Sequence, residues 1–385
     1  MTLRPDQLRS QIRETAFSFR GYNTTNLGRT SELLAHPVYA STVETTLREF
    51  SALCSDAVGR HVDLVERVRH CRETRDLTTY AEDVALIVGV EMAQLRILES
   101  QFGVPFTEAR MAFGYSLGEA GLLIASGMFD KDLLRVPIVL AEDSVALAYD
   151  TTMGVLFSRG TALDIPTVQH MCTKINLLGN GIIGISTFLS PNCVLLLGQR
   201  ETVDQFKSLM PKFLPRTATL RKNPYRWPPI HTTITWQKAI PNRAAVMLQT
   251  IPGGMDEPPL PIVSGVTGKE SFTPHNAREL LHQWVDHPQK LWEQVVHVLS
   301  AGVKTVIHVG PDPNLIPATF KRLADDVRGQ LNGNSPGKIG LKMVSHMVRR
   351  PWLASLLPAN AVLLRAPILR HINLEDWLLD SALSG

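Results

Sequence analysis

Cysteine is scarce and scattered: Cys54, Cys71, Cys172 and Cys193 are the only four among 385 residues. None forms a CxxC pair or a Cys/His ligand spacing, which argues against a disulfide framework and a zinc site. Reduced thiols and no metal are expected. Long apolar runs are missing too. No stretch approaches the roughly 18 apolar residues that a membrane span needs, and the opening "MTLRPDQLRS" lacks the apolar middle of a secretion signal. A cytoplasmic protein with no membrane contact is expected. An excess of one charge is also lacking: Lys and Arg number 39 against 36 Asp and Glu, a net +3. That is too little to imply nucleic acid, while an acidic protein partner is tolerated. The basic run "RVRHCRETR", Arg67 to Arg75, reads as a solvated helix face.

A dinucleotide site lacks its context. "GNGIIG", Gly179 to Gly184, satisfies GxGxxG, and Asp204 lies at the distance of a ribose-binding acid. The following "ISTFLSPN" reads as strand and loop where the fingerprint demands a helix opening on the pyrophosphate.

What is present is a chain 44% hydrophobic, long enough for a large domain with an insertion. "TAFSF", Thr15 to Phe19, reads as a buried strand, with helical patterns over Ser41 to Val58 and Tyr80 to Phe102. "ARMAFGY" is strand-like and runs into Gly-x-Ser-x-Gly at Ser116. Beyond it "SLGEAGLLIASG" has helical spacing and closes at Gly127. The pattern changes over residues 161–225, where two helices and three strand-like segments form a small unit. It resumes with "PIVSGVTG", the amphipathic segment Asn276 to Ser300 and "KTVIHVGPDPNL". An inserted subdomain explains that order. Residues 331–385 read as an extension that begins with the loop "LNGNSPGK" and later carries "AVLLRAP" and "LEDWLLDS".

A serine hydroxyl is a poor nucleophile at neutral pH, so covalent catalysis needs a base in hydrogen-bond reach and donors aimed at a developing oxyanion. A strand, a sharp glycine-flanked turn and a helix supply part of this. They expose the Ser116 hydroxyl and point the N–H of Leu117 toward an oxyanion with the helix dipole behind it. Of 12 histidines, His231 in "RWPPIHTTI" follows prolines that fix its approach. His275, His308 and His346 compete with it on spacing alone. Trp227 and Trp236 beside it read as wall and core.

"GYSLGEAG", "PIVSGVTG" and "WEQVVHVLSAGVKTVIHVGPDPNL" together resemble the malonyl-CoA:ACP transacylase and polyketide synthase acyltransferase family, in order and spacing from about Thr15 to Leu323. The resemblance implies an α/β-hydrolase-like large domain, residues 1–160 and 226–330, with an inserted ferredoxin-like subdomain, 161–225. It implies Ser116 as nucleophile and His231, in a Pro-containing loop after the insertion, as base. It places the N–H groups of Leu117 and Tyr22 at the oxyanion and has "HVGPDPN", His308 to Asn314, orient the imidazole. No bound cofactor is implied. Acyl-CoA or a phosphopantetheine thioester is the substrate, and an acyl carrier protein the partner, within fatty acid or polyketide synthesis and beside a synthase. A hydrolase of the same fold and a weakly catalytic carrier-binding scaffold are the alternatives.

The chain departs from the family pattern in three places. "FRGYNTT" stands where FPGQGSQ is usual, so Arg20 and Tyr22 replace Pro and Gln, and Arg20 becomes a candidate for substrate binding. Tyr115 replaces the common His before the serine; it also reads as substrate-binding, and is similar to acyltransferases of polyunsaturated fatty acid and iterative polyketide synthases. The malonyl-binding Arg, about 25 residues after the serine, falls on Ala141, with Arg135 and Arg159 the nearest arginines. A carboxylate buried without a cation costs several kcal/mol, so an uncharged acyl group is expected.

Overall fold

Strands that are apolar or small at nearly every position cannot lie at a surface, and this chain builds its main sheet from them. The computed structural model describes residues 3–73, 77–332 and 350–381. Its strands in chain order are β1 Thr15–Phe19, β2 Met111–Gly114, β3 Thr151–Ser158, β4 Ile183–Ser190, β5 Cys193–Gln199, β6 Ala218–Arg226, β7 Ile262–Val263, β8 Thr305–Val309 and β9 Arg370–Asn373. Five of them form a parallel sheet ordered β7-β2-β1-β8-β9, with Ala16 opposite both Met111 and Val306. Every residue of β1, β2 and β8 is buried, as a parallel sheet covered on both faces requires.

The covering helices are held by their apolar faces and closed by glycine. Helices Ala40–Val58 and Tyr80–Phe102 both end at a left-handed glycine, Gly59 and Gly103. The second is buried along most of its length and carries Glu91 and Gln94 into the core. No helix among the described residues is long and apolar enough to cross a membrane. The amphipathic stretch read as one unit is two helices, Ala277–Asp286 and Leu291–Ser300; Pro288 between them cannot continue a helix.

The remaining strands form a second sheet, ordered β4-β5-β3-β6 and antiparallel throughout. With helices Ile165–Asn176 and Thr202–Phe213 this is the βαββαβ order of a ferredoxin-like unit. It starts at Thr151, ahead of the expected 161, because β3 pairs with both β5 and β6 and is internal to this sheet. Its helix side has its own core around Phe206 and Leu196. Its other face, including Leu189, Cys193 and Leu195, packs on the large domain. The unit is also stitched in by backbone: Phe188 N–H donates to Gln289 O and Gln289 N–H to Ser186 O, both at 2.8 Å.

Two expectations are corrected. Arg67 in the basic run is 6% exposed and pairs with buried Asp83, because its helix turns that position inward; Arg75 lies outside the described residues. The expected loop at 331–338 begins inside the helix Leu315–Asn332, and the rest of it lies outside the described residues. The C-terminal stretch is built into the fold, since β9 pairs with β8 and the helix Leu374–Ser381 buries Trp377, whose indole N–H donates to Leu3 O at 2.7 Å. Trp377→Ala removes one of the largest buried side chains and lowers stability by about 3–5 kcal/mol in urea unfolding; an unchanged midpoint would mean the C-terminal helix is peripheral.

Candidate active site

The carboxyl ends of parallel strands are where such sheets place ligands, and β2 ends there in the Ser116 turn. Ser116 sits at φ 55°, ψ −120°, a conformation that costs a non-glycine residue about 1–3 kcal/mol and is held by its surroundings. The flanking glycines are required by contact. A Cβ on Gly114 would meet Glu119 N at 2.3 Å, and one on Gly118 would meet Phe19 O at 2.2 Å. The helix Leu117–Ala125 therefore lies directly on the end of β1. Leu117 is its first residue, so its N–H has no acceptor within the helix.

His231 comes to the serine from the loop after the small unit. Its Nε2 lies 2.7 Å from Ser116 Oγ, and its Nδ1 lies 2.6 Å from Trp284 O. A carbonyl only accepts, so Nδ1 carries the proton, Nε2 is bare, and the Ser116 hydroxyl donates to it. The ring is 5% exposed, and burial lowers its pKa to about 4, partly opposed by the Trp284 carbonyl and Asp286. The imidazole is thus neutral at physiological pH. Trp284 acts a second time: its indole N–H donates to Ser116 O at 2.9 Å, which fixes serine and histidine to one residue.

Around this pair lies a buried polar shell. Glu119, one turn into the helix, accepts from Gly265 N–H at 3.0 Å, and burial raises its pKa to about 7. Gln294 Nε2 donates to Gly114 O and Val263 O, each at 3.0 Å, tying the ends of β2 and β7. Tyr115 is half-buried and its hydroxyl is 3.0 Å from Thr187 Oγ1 on β4, so it joins the elbow to the small unit. The loop after β1 runs against the elbow, where a Cβ on Gly21 would be 3.3 Å from the Ser116 Cβ. Tyr22 follows, its ring packed edge-on against Tyr80 and Trp227.

Arg20 does not face a substrate. It is fully buried; its guanidinium donates to Gly21 O at 2.9 Å, to Asn26 Oδ1 at 2.7 Å and to Pro311 O, while its backbone N–H donates to Glu91 Oε1. Burial lowers it to about 10, against the pull of Glu91, and raises Glu91 well above the usual carboxylate range. Arg20 is thus the internal brace of the loop that carries Tyr22. The end of the same loop is gripped by the C-terminal helix, where Glu375 accepts from Arg29 N–H at 2.8 Å and from Thr30 Oγ1 at 3.1 Å; Asn373, on β9, donates to Asp312 in the turn after Gly310.

The turn at Gly310 is also reassigned. It does not orient His231; Gly310 N–H donates to Gln94 Oε1 at 2.8 Å and Pro311 O receives Arg20, because β8 lies on the far side of β1 from β2. Of the competing histidines, His308 is buried between Ser18 and His371, His275 is exposed, and His346 lies outside the described residues. Trp227 is half-buried as wall, while Trp236 is 48% exposed and donates to Asp286. Ala141 is buried in the helix Arg135–Ala148, Arg135 is engaged by Asp56 and Asp132, and Arg159 is exposed. The described residues hold no cluster fit for a metal ion. Trp284, Gln289 and Gln294 were not singled out from the sequence, where Trp284 and Gln294 are inward positions of an ordinary amphipathic pattern and Gln289 lies in the break between the two helices.

No family model and no curated protein matches the chain. Solved structures do. FabD from Acinetobacter baumannii superposes with a TM-score of 0.66 at 17% identity, over 97% of this chain and 100% of that one. An acyl carrier protein S-malonyltransferase from Vibrio cholerae gives 0.63 at 20% identity, over 80% and 93%. A malonyl-transacylase in complex with its type II PKS acyl-carrier protein gives 0.63 at 22%, over 79% and 91%. The chain therefore has the fold of the malonyl transacylases, a large α/β-hydrolase-like domain with a small inserted one. Arg20→Met leaves Gly21 O, Pro311 O and Asn26 Oδ1 without their buried donor and costs about 1–3 kcal/mol of stability for each acceptor left unsatisfied; a variant of unchanged stability that binds substrate poorly would restore Arg20 to the substrate site.

Proposed function

We propose that the protein is an acyltransferase that moves an acyl group from a thioester to a phosphopantetheine thiol through an acyl-serine at Ser116. The observation that carries this is the strained Ser116 hydroxyl 2.7 Å from the bare Nε2 of a buried His231, in a fold shared with transacylases. Ser116 Oγ attacks the thioester carbonyl while its proton passes to His231 Nε2. The N–H groups of Leu117 and Tyr22 receive the oxyanion. Collapse expels the donor thiol, which takes the proton from the imidazolium. An acceptor thiol then gives its proton to Nε2 and attacks the acyl-serine; collapse releases the new thioester, and the departing Ser116 Oγ takes that proton back from the imidazolium.

The Trp284 carbonyl serves where a carboxylate stands in a serine triad. It orients the ring and supports the imidazolium without bringing a charge. The acyl carrier protein is the acceptor this mechanism needs, as in the transacylase complex of the same fold, and hydrolysis is what remains if water alone resolves the acyl-serine. The acyl group we infer is uncharged, because Ala141 stands where the family's arginine is expected, Arg20 is spent inside the loop and Arg135 is held by two aspartates.

Two outcomes test this reading. After incubation with acetyl-, longer acyl- and malonyl-CoA, intact-mass spectrometry shows the neutral acyl adducts on Ser116 forming faster than the malonyl adduct, and none on Ser116→Ala; preferential malonylation overturns the neutral substrate, and no adduct from any donor overturns the acyltransferase. Because burial holds His231 below the ordinary histidine range, its neutral form persists as pH falls. With Glu119, which burial raises to about 7, replaced by Gln, acylation is therefore retained through the mildly acidic range where an ordinary histidine is half protonated; an acid limb at the ordinary histidine value in that variant contradicts the buried base.

A further inference from the structure

Two buried oxygens beside the elbow have no hydrogen-bond donor among the described residues: Glu119 Oε2 and Gln289 Oε1. They converge on one bare backbone position, since a Cβ on Gly265 would stand 2.3 Å from the Gln289 oxygen and 2.9 Å from the Glu119 oxygen. Both side chains are shut off from solvent. At the other end of the same amide, Gln289 Nε2 lies 3.3 Å from His231 Nδ1, which already carries the proton given to Trp284 O. Acceptor faces acceptor on one side and donor faces donor on the other.

Such an amide has two satisfied arrangements. With Glu119 protonated, its O–H donates to Gln289 Oε1 and Nε2 stays toward the ring. With Glu119 ionised, the amide turns over, Nε2–H donates to the carboxylate, and Oε1 shares the Nδ1 proton with Trp284 O. We propose that Gln289 is a positioning residue for His231, and that the protonation state of Glu119 sets which end of its amide faces the imidazole. This rests on the reading of Ser116 and His231 as the catalytic pair. The covalent step is a proton exchanged between Glu119 and solvent water. An oxygen at Nδ1 stabilises the imidazolium that forms when Ser116 yields its proton, whereas an N–H there opposes it, so the ionised form of Glu119 is the faster one.

Burial alone raises Glu119 to about 7, against the Ser264 side chain and the Gly265 N–H. The charged groups on the elements around it are each committed elsewhere. Glu91, which lies against Gly121, is bonded to the Arg20 backbone, while Lys131 and Asp132 hold Glu49 and Arg135. Lys290 meets Gly265 through its backbone N–H, and Glu293 packs on Gly268. Asp286 acts on His231, raising it.

The test follows the His231 ring nitrogens by NMR in histidine-labelled protein across the neutral range, alongside the rate of Ser116 acylation. The parent chain shows an inflection near 7 in the ring shifts, with acylation faster above it. Glu119→Gln and Gln289→Leu both lose the inflection while keeping a cooperative melt, and Glu119→Gln holds one rate on either side. An inflection that survives Glu119→Gln, or one absent from the parent, overturns the link. A parent that never acylates Ser116 overturns the catalytic reading instead, and the ring titration then judges the link by itself.

Discussion

The 2.6 Å hydrogen bond from His231 Nδ1–H to the Trp284 carbonyl is the contact on which the rest of the site depends. A buried imidazole has two neutral tautomers, and only one leaves a lone pair on Nε2 for the serine. The carbonyl selects it. Trp284 sits on the helix Ala277–Asp286, and its indole also holds the serine's own backbone, so any shift of that helix moves histidine and serine together. A single aromatic residue thereby orients the imidazole and the elbow without placing a charge beside either.

Supporting polar groups are arranged by the same economy of charge. Glu119 is pushed up by burial, Glu91 lies beside a buried arginine, and Gln94 and Gln294 serve backbone groups at the strand ends. Each terminates a backbone donor or acceptor that the chain at Arg20, Gly114, Gly265 or Gly310 leaves outside the sheet ladder. The small domain is fastened to this shell through Tyr115 and the Gln289 backbone, so the elbow lies at a seam between two packed bodies.

Local pattern was enough to read the elements that carry strong periodicity: the buried β1, the long helix Tyr80–Phe102, and the strand, turn and helix at Ser116. It also isolated the inserted unit, although its first strand was missed because β3 looks like any alternating strand until its partners β5 and β6 are known. The pairing of Ser116 with His231 spans 115 positions and was legible only through the order of motifs. Arg20 was misread for a physical reason. An arginine standing where the family has proline beside the serine reads as a ligand clamp, and only the burial of its guanidinium among carbonyls and Asn26 separates a brace from a clamp. Trp284 was invisible for the converse reason, since its working atom for the histidine is a backbone oxygen that every residue possesses.

The loop that brings Tyr22 to the serine begins twenty residues into the chain, yet Glu375 completes its anchorage at Arg29 and Thr30. During synthesis on a ribosome, the early segment can fold its strand but must wait for almost the entire polypeptide before that anchorage exists. An incomplete nascent chain therefore has the serine and histidine but lacks the finished loop, so the backbone beside Ser116 is set only after the segment carrying Glu375 has emerged.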